Sequence, residues 1–251
     1  MKTAEWISSW IKERVEAAGA GGVVLGMSGG IDSSVAAVLA KRGLGDGVLG
    51  LIMPCHSDPT DVEHAQLVAA EFGIETEYVD LTLLLDCFLE ILPPGDRVAV
   101  GNLKPRLRMA VLYYFANTRH YLVMGTGNES EIKCGYFTKY GDGGVDILPL
   151  GDLLKTQVRE LARELGISEE IIIKPPSAGL WEGQTDEGEM GISYEELDRI
   201  LVAIESGDTG ECDQEALARV RAMMAASQHK RDPIPTCKMT NEPMTNDQRG
   251  T

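Results

Sequence analysis

The order of apolar and polar residues predicts alternating helices and strands over the first half of the chain. Apolar residues recur at helical spacing over residues 6–15, which predicts an amphipathic first helix with Thr3 as its cap. After it, short apolar runs that are typical of buried strands alternate with longer segments that have helical spacing. The predicted strands cover 23–25, 48–53, 74–79 and 121–124, and the predicted helices cover 31–41, 60–72, 81–92 and 103–117.

Capping residues mark the helix ends in this region. Thr60 and Glu63 have the spacing of a capping box, and Gly43 is expected to end the helix that follows the first strand. Strands that alternate with helices of this length indicate parallel βαβ units. We therefore expect one α/β domain over residues 1–231, built as an open parallel sheet with helices on both faces in three layers. Ligands of such sheets bind at the carboxyl ends of the strands.

Two long segments interrupt the pattern in the second half of the chain. Residues 125–151 are glycine-rich and polar, and residues 174–191 form a second long loop. Segments of this length are too long for passive connectors in a compact domain, so they point to function. The other predicted helices cover 152–165, a segment that begins at the capping box of Ser193 and Glu196, and 215–227.

Charge, cysteine content and hydropathy exclude several classes of protein. The 251 residues carry a formal net charge of −16, which disfavours a nucleic-acid partner. The five cysteines are scattered and lack zinc-site spacing, which predicts free thiols in a reducing cytosol. No signal-peptide pattern or membrane-spanning run occurs, so we expect a cytoplasmic location and no membrane partner. Prolines and polar residues over 232–251 predict a flexible C-terminal tail.

A glycine loop lies where the first predicted strand turns into its helix. Free backbone N–H groups and the helix dipole favour an anion there, and paired glycines allow the close approach of a phosphate. The loop lacks the lysine of a P-loop. The same residues also suit a plain turn, with Asp32 as a favourable charge in the first helical turn. The loop consists of Ser28, Gly29, Gly30, Ile31, Asp32 and Ser33.

Several ordered motifs resemble a known family. The glycine loop resembles the pyrophosphate-binding loop of the ATP pyrophosphatases, which split ATP into AMP and pyrophosphate while they adenylate a substrate. Residues 125–131 (GTGNESE) and 135–146 (GYFTKYGDGGVD) resemble the signature of the ammonia-dependent NAD synthetases of that superfamily. The resemblance covers about residues 1–235. Further matches are Pro149 with Leu150, Lys155, 176–180, 184–187, 191–194 and 229–231.

The resemblance implies a five-stranded parallel sheet in a homodimer, and a reaction that joins deamido-NAD, ATP and ammonia into NAD, AMP and pyrophosphate. The nicotinate carboxylate resists ammonia because its oxygen is a poor leaving group, so the family adenylates it first. Carboxylate and α-phosphate repel each other, which calls for Mg²⁺ and for cationic or N–H donors. The motifs leave no room for a glutaminase, so we expect free ammonia, or ammonia from a separate glutaminase.

The resemblance also implies which residues bind each substrate. ATP is expected to contact Gly26, Met27, Ser28, Gly29, Gly30, Ile31, Asp32, Ser33, Thr126, Lys155 and Ser177. Deamido-NAD is expected to contact Arg106, Lys139, Asp146, His229 and Lys230. Mg²⁺ is expected to bind the carboxylates of Asp32 and Glu131, since this hard ion prefers one or two carboxylates together with phosphate oxygens and water.

Some of these residues also have simpler interpretations. Glu131 has the spacing of a capping box with Asn128. Lys155 suits the solvated surface of a helix, which is the usual position of such a lysine. The basic run at 229–231 suits a helix end, where positive charge interacts favourably with the dipole.

The helix that begins near residue 103 leaves one assignment open. Pro105 stands where the family usually has alanine, so the helix start shifts and the substrate residue is either Arg106 or Arg108. A separate hypothesis concerns ammonium, which must lose a proton before it attacks. Asp142, in a glycine loop beside Lys139, is expected to bind and deprotonate it, although a turn aspartate has the same pattern.

Two other functions, and two possible dimer surfaces, also fit the sequence. Another ATP pyrophosphatase, such as a GMP synthetase or a tRNA-thiolating enzyme, is the nearest enzymatic rival, and a tRNA substrate suits the acidic charge poorly. A nucleotide-binding regulatory module without catalysis is a rival of another class, disfavoured by the presence of Lys155. The opening helix with Trp6 and Trp10, and the later helix near Tyr114, are predicted either as dimer surfaces or as core.

Overall fold

The computed structural model describes residues 2–181 and 183–237 and contains a parallel sheet covered by helices. Its strand order is β3-β2-β1-β4, and each neighbouring pair is parallel. The predicted parallel βαβ arrangement is therefore confirmed. The strands are β1 (Val23–Gly26), β2 (Val48–Ile52), β3 (Glu75–Tyr78) and β4 (Leu122–Val123).

Helices precede, connect and follow these strands. The helices up to β4 are α1 (Thr3–Ala17), α2 (Ile31–Leu44), α3 (Pro59–Phe72), α4 (Thr82–Ile91), α5 (Arg97–Gly101) and α6 (Leu103–Arg119). The helices after β4 are α7 (Glu129–Cys134), α8 (Lys155–Leu165), α9 (Glu169–Ile172), α10 (Asp186–Met190), α11 (Tyr194–Ser206), α12 (Gln214–Ala226) and α13 (Gln228–Arg231).

Apolar side chains on the two faces of the sheet form separate clusters. Val23 and Leu25 of β1 pack in the cluster that contains residues of α1, α2, α3 and α8. Val24, between them, packs in the cluster that contains residues of α4 and α6. This separation follows from the strand geometry, because successive side chains point to opposite faces. The predicted three layers are confirmed.

The sheet has one strand fewer than the resemblance implies. Beyond β4, pairing within the described residues continues only as an isolated parallel bridge between Met124 and Ile147. The N–H of Gly125 donates to the carbonyl of Ile147 at 2.9 Å, but the ladder goes no further. Pro149 follows two residues later and has no N–H with which to extend it. The expectation of five strands is therefore wrong for the described chain.

Helix α2 passes through Gly43, which the sequence predicts as its end. A Cβ at this position would lie 2.3 Å from the carbonyl oxygen of Ser8, so the glycine lets α1 pack closely on α2. The hydroxyl of Ser8 also donates to the carbonyl of Leu39 at 2.9 Å. The helix ends at Leu44, where Gly45 has a φ of 60°. Gly43 is thus a packing residue and the predicted end is wrong.

Two predicted N-terminal caps differ in the structure and a third is confirmed. The cap of α3 is Asp58, whose carboxylate accepts from the N–H of Thr60 at 2.9 Å, so the capping box predicted at Thr60 is wrong. Thr3 is the first residue of α1 and makes no cap hydrogen bond. Ser193 caps α11 as predicted, because its hydroxyl accepts from the N–H of Glu196 at 3.3 Å.

The remaining sequence predictions concern cysteines, the C-terminus and membranes. All five cysteines have free thiols, as predicted. Residues 232–237 form neither helix nor strand, and the rest of the predicted tail, 238–251, lies outside the described residues. Throughout 2–181 and 183–237, no helix combines the length and the apolar character needed to cross a membrane.

Candidate active site

A cleft of about 480 Å³ lies at the carboxyl ends of the strands. The glycine loop after β1 and the segment after β2 form one side of it. The end of β4 and the long loops around 135–145 and 174–186 form the other sides. The two segments that the sequence singles out as functional therefore meet at the edge of the sheet where ligands are expected.

The glycine loop holds the N-terminus of α2 open toward this cleft. Gly29 has a φ of 75°, and a Cβ there would lie 2.1 Å from the carbonyl oxygen of Asp61. Gly30 is the N-cap of α2 and supplies no side chain to cap the first N–H groups. The hydroxyls of Ser28 and Ser33 lie 3.0 Å apart and brace the loop. Uncapped N–H groups and the dipole of a 14-residue helix make this an anion site.

Lys155 forms the centre of a buried charged cluster. Its Nζ lies 2.5 Å from Oδ2 of Asp32 and 3.3 Å from Oε1 of Glu131, and its side chain is only 2% exposed. The ammonium also lies 4.9 Å from the centroid of the Tyr194 ring. Burial alone would lower the pKa of Lys155, but the two carboxylates outweigh burial and raise it. Lys155 is therefore not a solvated surface lysine.

Asn128 joins this cluster to the start of α7. Its Oδ1 accepts from the N–H of Glu131 at 3.0 Å, and Glu131 Oε2 accepts from the N–H of Asn128 at 3.3 Å. The capping box is thus confirmed, yet Asn128 Nδ2 also donates to Oδ1 of Asp32 at 2.9 Å. Burial raises the pKa of Glu131, and the ammonium of Lys155 opposes that rise. The cap and the charged cluster share the same residues.

The basic residues predicted for the substrate gather at the rim of the cleft. Nη2 of Arg106 donates to the carbonyl of Lys139 at 3.5 Å, and Nζ of Lys139 donates to the carbonyl of His229 at 2.5 Å. Lys230 lines the cleft and donates to two backbone carbonyls of 135–137 at 2.6 and 2.8 Å. The structure thus brings residues from α6, the 135–145 loop and α13 together.

Two other predicted features have structural roles. Asp146 accepts from the hydroxyl of Tyr113 at 2.9 Å and from the N–H of Val123 at 2.8 Å, which fixes the end of β4. Arg231 donates to the carbonyls of Ile132 and Lys133 at the end of α7, at 3.2 and 2.9 Å. The helix-end interpretation of the basic run is therefore confirmed for Arg231.

Arg108 lies inside the cleft, whereas Arg106 lies outside it. The Nε of Arg108 donates to the carbonyl of Met53 at 3.1 Å, and its Nη2 donates to the hydroxyl of Ser57 at 3.3 Å. Arg106, two residues earlier on α6, is exposed and faces Lys139. The two arginines therefore serve different surfaces, one the inner wall and the other the rim.

Asp142 also faces the cleft. Its Oδ1 accepts from the N–H of Thr138 at 2.9 Å, which fixes the carboxylate in the turn. The residue is exposed, but desolvation by the surrounding protein atoms raises the pKa of its carboxyl. A carboxylate with a raised pKa accepts a proton more readily near neutral pH.

Known proteins are similar in sequence to almost the whole chain. Residues 3–234 match the family model described as NAD synthase. The chain belongs to the NAD synthase family. It is 46% identical over 232 residues to an NH(3)-dependent NAD(+) synthetase of Carboxydothermus hydrogenoformans. This match covers 90% of this chain and 93% of that protein.

Two solved structures of the same fold extend the comparison. The NMN synthetase of Francisella tularensis superposes with a TM-score of 0.87 at 37% identity, covering 94% of this chain and 98% of that one. The NH3-dependent NAD synthetase of Campylobacter jejuni superposes with a TM-score of 0.83 at 31% identity, with the same coverage of 94% and 98%.

In this member of the NAD synthase family, most of the residues expected for ATP line the cleft, whereas most of those expected for the second substrate lie outside its lining. The expected residues that line the cleft are Gly26, Met27, Ser28, Gly30, Ile31, Asp32, Ser33, Thr126, Glu131, Asp142, Lys155, Ser177 and Lys230. The expected residues that do not line it are Gly29, Arg106, Lys139, Asp146 and His229.

The motifs that match the family include one cleft residue, Asp186, and one buried residue, Tyr194, for which the sequence predicted no role. Asp186 lines the cleft at the start of α10, and the hydroxyl of Tyr194 donates to its Oδ2 at 3.0 Å. Tyr194 is fully buried beneath Lys155. Their only sequence signal is their position within the matching motifs 184–187 and 191–194.

Proposed function

We propose that this chain amidates deamido-NAD with ammonia at the expense of ATP, giving NAD, AMP and pyrophosphate. The observation that carries the proposal is the cluster of Lys155, Asp32 and Glu131 directly beside the open N-terminus of α2. An anion site and a buried lysine at one edge of the sheet suit a nucleoside triphosphate. The NAD synthase family and its NH(3)-dependent members supply the reaction.

In this proposal the inner cleft binds ATP and the rim binds deamido-NAD, and both substrates are anions. In the cleft, N–H groups of α2 and the ammonium of Lys155 hold the phosphates and oppose the negative charge that develops during adenylation. At the rim, the cationic side chains of Arg106 and Lys139 attract the second substrate. The nicotinate carboxylate then attacks the α-phosphate of ATP and releases pyrophosphate, which gives a mixed anhydride with AMP. Ammonia attacks the carbonyl carbon of this anhydride, AMP leaves, and a proton is lost to give the amide.

The two carboxylates of the cluster suit Mg²⁺. Asp32 and Glu131 both offer hard oxygen ligands, and both already face one positive charge, the ammonium of Lys155. A cation is thus accommodated between them, in the arrangement of two carboxylates near phosphates that Mg²⁺ prefers. When bound, the ion would reduce the repulsion between the α-phosphate and the nicotinate carboxylate.

A single assay tests the reaction. Purified protein is supplied with ATP, Mg²⁺, deamido-NAD and ammonium, and both NAD and pyrophosphate are followed. We expect equal amounts of the two products, with little product when glutamine replaces ammonium. The absence of NAD under saturating ammonium would contradict the proposal.

A second assay tests nicotinate mononucleotide as an alternative substrate. The similar structure from Francisella tularensis is an NMN synthetase, so nicotinate mononucleotide is offered to the protein in parallel with deamido-NAD. We expect a higher kcat/KM for the dinucleotide, because the basic rim extends beyond the inner cleft. A preference for the mononucleotide would reassign the substrate while leaving the ATP chemistry intact.

We expect Asp142→Asn to raise the KM for ammonium about tenfold, since one hydrogen bond to a charged group is worth roughly 1.5–3 kcal/mol. The asparagine keeps an oxygen for the N–H of Thr138, so the turn is retained. Initial rates at varied ammonium measure the change, with Asp152→Asn as the control on an exposed residue outside the cleft. Unchanged KM and kcat for ammonium would remove Asp142 from the mechanism.

We further propose that the chain forms a homodimer through the outer side of α4. Leu83 and Ile91 of this helix are 74% and 78% exposed, and Leu84, Leu89 and Leu92 on or next to it are also exposed, so α4 carries an apolar surface patch. Trp6 of α1 and Tyr114 of α6 are exposed as well, so neither belongs to the core. Apolar surface of this kind is typical of interfaces between subunits.

Placing charges in this patch is expected to separate the subunits. The double variant Leu83→Glu with Ile91→Glu should raise the dimer dissociation constant at least about 100-fold, since each buried side chain contributes roughly 1.5–3 kcal/mol. Sedimentation equilibrium measures the effect, and Val202→Glu on α11 is the control at another exposed apolar position. A wild-type protein that is monomeric at all concentrations would contradict the proposed dimer.

Two further expectations concern the nitrogen source and the cellular location. Ammonia, either free or released by a separate glutaminase, is the nitrogen source. The cytoplasmic location stays a prediction from the sequence.

A further inference from the structure

The first turn of α8, which begins with Lys155, is capped by side chains from two distant elements. Its N-cap is Leu154, which has no polar side-chain atom to accept from the first N–H groups. The hydroxyl of Ser130 on α7 accepts from the N–H of Lys155 at 2.9 Å. Oδ2 of Asp198 on α11 accepts from the N–H of Thr156, also at 2.9 Å. Two other helices thus supply the acceptors that the start of α8 needs.

Asp198 also binds the other acceptor, Ser130. Its Oδ1 accepts from the hydroxyl of Ser130 at 2.5 Å, so each carboxylate oxygen has its own donor. Ser130 is fully buried, and Asp198 is 3% exposed on a helix that packs against both α7 and α8. At this burial, solvent does not replace a lost hydrogen-bond partner. The starts of α7 and α8 are therefore held to the same carboxylate of α11.

This network supports two residues that line the cleft. Glu131 follows Ser130 on α7, and Lys155 comes directly before Thr156 on α8. Their side chains meet in the cleft, where Nζ of Lys155 lies 3.3 Å from Oε1 of Glu131. Asp198 itself does not line the cleft. It therefore fixes the backbone from which both side chains extend, without contact to a ligand.

We propose that Asp198 is a positioning residue: by holding the starts of α7 and α8 together, it keeps Lys155 and Glu131 at the separation that the ATP phosphates require. The inference rests on the proposed ATP site. Side chains that bind a reacting group need their own positions fixed by the hydrogen bonds and packing behind them. The contacts of Asp198 provide this support for both helix starts at once.

An asparagine at this position cannot form the same two hydrogen bonds. Its single carbonyl oxygen accepts either from the N–H of Thr156 or from the hydroxyl of Ser130. If it accepts from Thr156, its NH₂ group faces the oxygen of Ser130, and the serine hydroxyl has to turn its hydrogen away. Asp198→Asn therefore changes the hydrogen bonds between the helices while it keeps the shape of the side chain.

The test compares Asp198→Asn with wild type. Calorimetry with Mg²⁺ and a non-hydrolysable ATP analogue gives the nucleotide Kd, a parallel titration gives the deamido-NAD Kd, and initial rates give the KM of each substrate. We expect the nucleotide Kd and the KM for ATP to rise about tenfold, which is within the range of coupling in one hydrogen-bond network. The Kd and KM for deamido-NAD should stay unchanged, because Arg106 and Lys139 at the rim are held by other contacts.

A matched control lies on the same helix. Gln157 is exposed, does not line the cleft, and its Oε1 accepts from the N–H of Leu154 at 2.9 Å. Gln157→Ala should lower the Tm by about 2–4 °C, as the loss of a helix cap does, and leave the nucleotide Kd unchanged. The Tm of Asp198→Asn should fall as well, so the nucleotide Kd is what distinguishes the two variants.

A further variant tests the connection through Ser130. Ser130→Ala removes the hydroxyl that lies between Asp198 and the N–H of Lys155, and we expect a similar rise in the nucleotide Kd. Combined with Asp198→Asn, it should add little to the loss from either single variant, because both interrupt one network. If the double variant does not fold, the comparison of Asp198→Asn with Gln157→Ala decides alone.

Several results would overturn the inference. An unchanged nucleotide Kd in Asp198→Asn removes the role, and so does an equal loss of affinity for both substrates, which indicates a general structural defect. An equal rise in the nucleotide Kd of Gln157→Ala would show that the stability of α8 matters and not its position relative to α7. Fully additive losses in the double variant would show that Asp198 does not act through Ser130. A wild-type protein that binds no ATP analogue would contradict the proposed function itself, and the inference with it.

Discussion

Replacing Lys155 with glutamine is expected to lower kcat/KM for ATP by about 100- to 1,000-fold, which is the usual effect of losing one donor to a developing negative charge. The ammonium lies at the innermost part of the cleft, 2.5 Å from Asp32, so water does not take its place. Steady-state rates at varied ATP with saturating deamido-NAD and ammonium measure the loss.

The same substitution is expected to lower the free energy of unfolding by about 3 kcal/mol at neutral pH, because two mostly buried carboxylates lose their shared counter-charge. Burial raises the pKa of Glu131 above its unfolded value, so the native state holds a proton that the unfolded chain releases as the pH rises. Removal of the lysine raises that pKa further. The deficit should therefore be smaller at pH 5 than at pH 8, measured by urea unfolding.

A surface lysine provides the comparison for both measurements. Lys133 lies 3.4 Å from Glu129 on α7 with its side chain partly in solvent. Lys133→Gln should change the unfolding free energy by less than about 1 kcal/mol, the usual limit for an exposed ion pair. If Lys155→Gln has no larger effect on rate and stability than Lys133→Gln, the proposed centre of the site is wrong.

The second large effect is expected from Gly29→Ala, which should raise the KM for ATP about 100-fold, since a displacement of about 1 Å at a binding loop has consequences of that size. The new Cβ would lie 2.1 Å from the carbonyl oxygen of Asp61, so either the loop or the start of α3 has to move. The positive φ of Gly29 adds about 1–2 kcal/mol of backbone strain for alanine. ATP binding measured by calorimetry, with rates in parallel, reports the change.

The variant Gly45→Ala separates the effect of backbone strain from the effect of a steric clash of the new Cβ. Gly45 also has a positive φ, of 60°, but a Cβ there meets nothing within 4 Å. This variant should lose about 1–3 kcal/mol of stability from the backbone conformation alone and keep its KM for ATP. Similar ATP affinities for the two variants would mean that the close approach of Gly29 to Asp61 does not shape the nucleotide site.

Local patterns in the sequence were sufficient for the sheet and the glycine loop. The strands β1 and β2 are continuous apolar runs, and the turn after β1 combines glycines with small polar residues, so both are recognisable within a few residues. The prediction of a fifth strand was wrong because the pairing of that segment depends on how the chain returns to β4 before Pro149. The predicted end of α2 at Gly43 was wrong because this glycine serves the close packing of α1 on α2, which no local pattern in the sequence shows.

The charged cluster was only partly predictable, because its contacts join distant parts of the chain. Lys155 lies 123 positions after Asp32, and no spacing rule reports such a contact. Family motifs named the lysine and both carboxylates, but not that the lysine is buried between them. Asp186 was still harder to find, since only the folded chain brings it to the lining of the cleft.

The double use of Asn128 has a consequence for the dynamics of the protein. The same side chain closes the first turn of α7 and holds Asp32 at 2.9 Å, so the turn and the charged cluster form or open together. Any fluctuation that frays α7 releases a carboxylate from Lys155, and any ligand that fixes Asp32 protects the helix end. We therefore expect occupancy of the cleft to slow the hydrogen exchange of the Glu131 amide, which donates to Asn128.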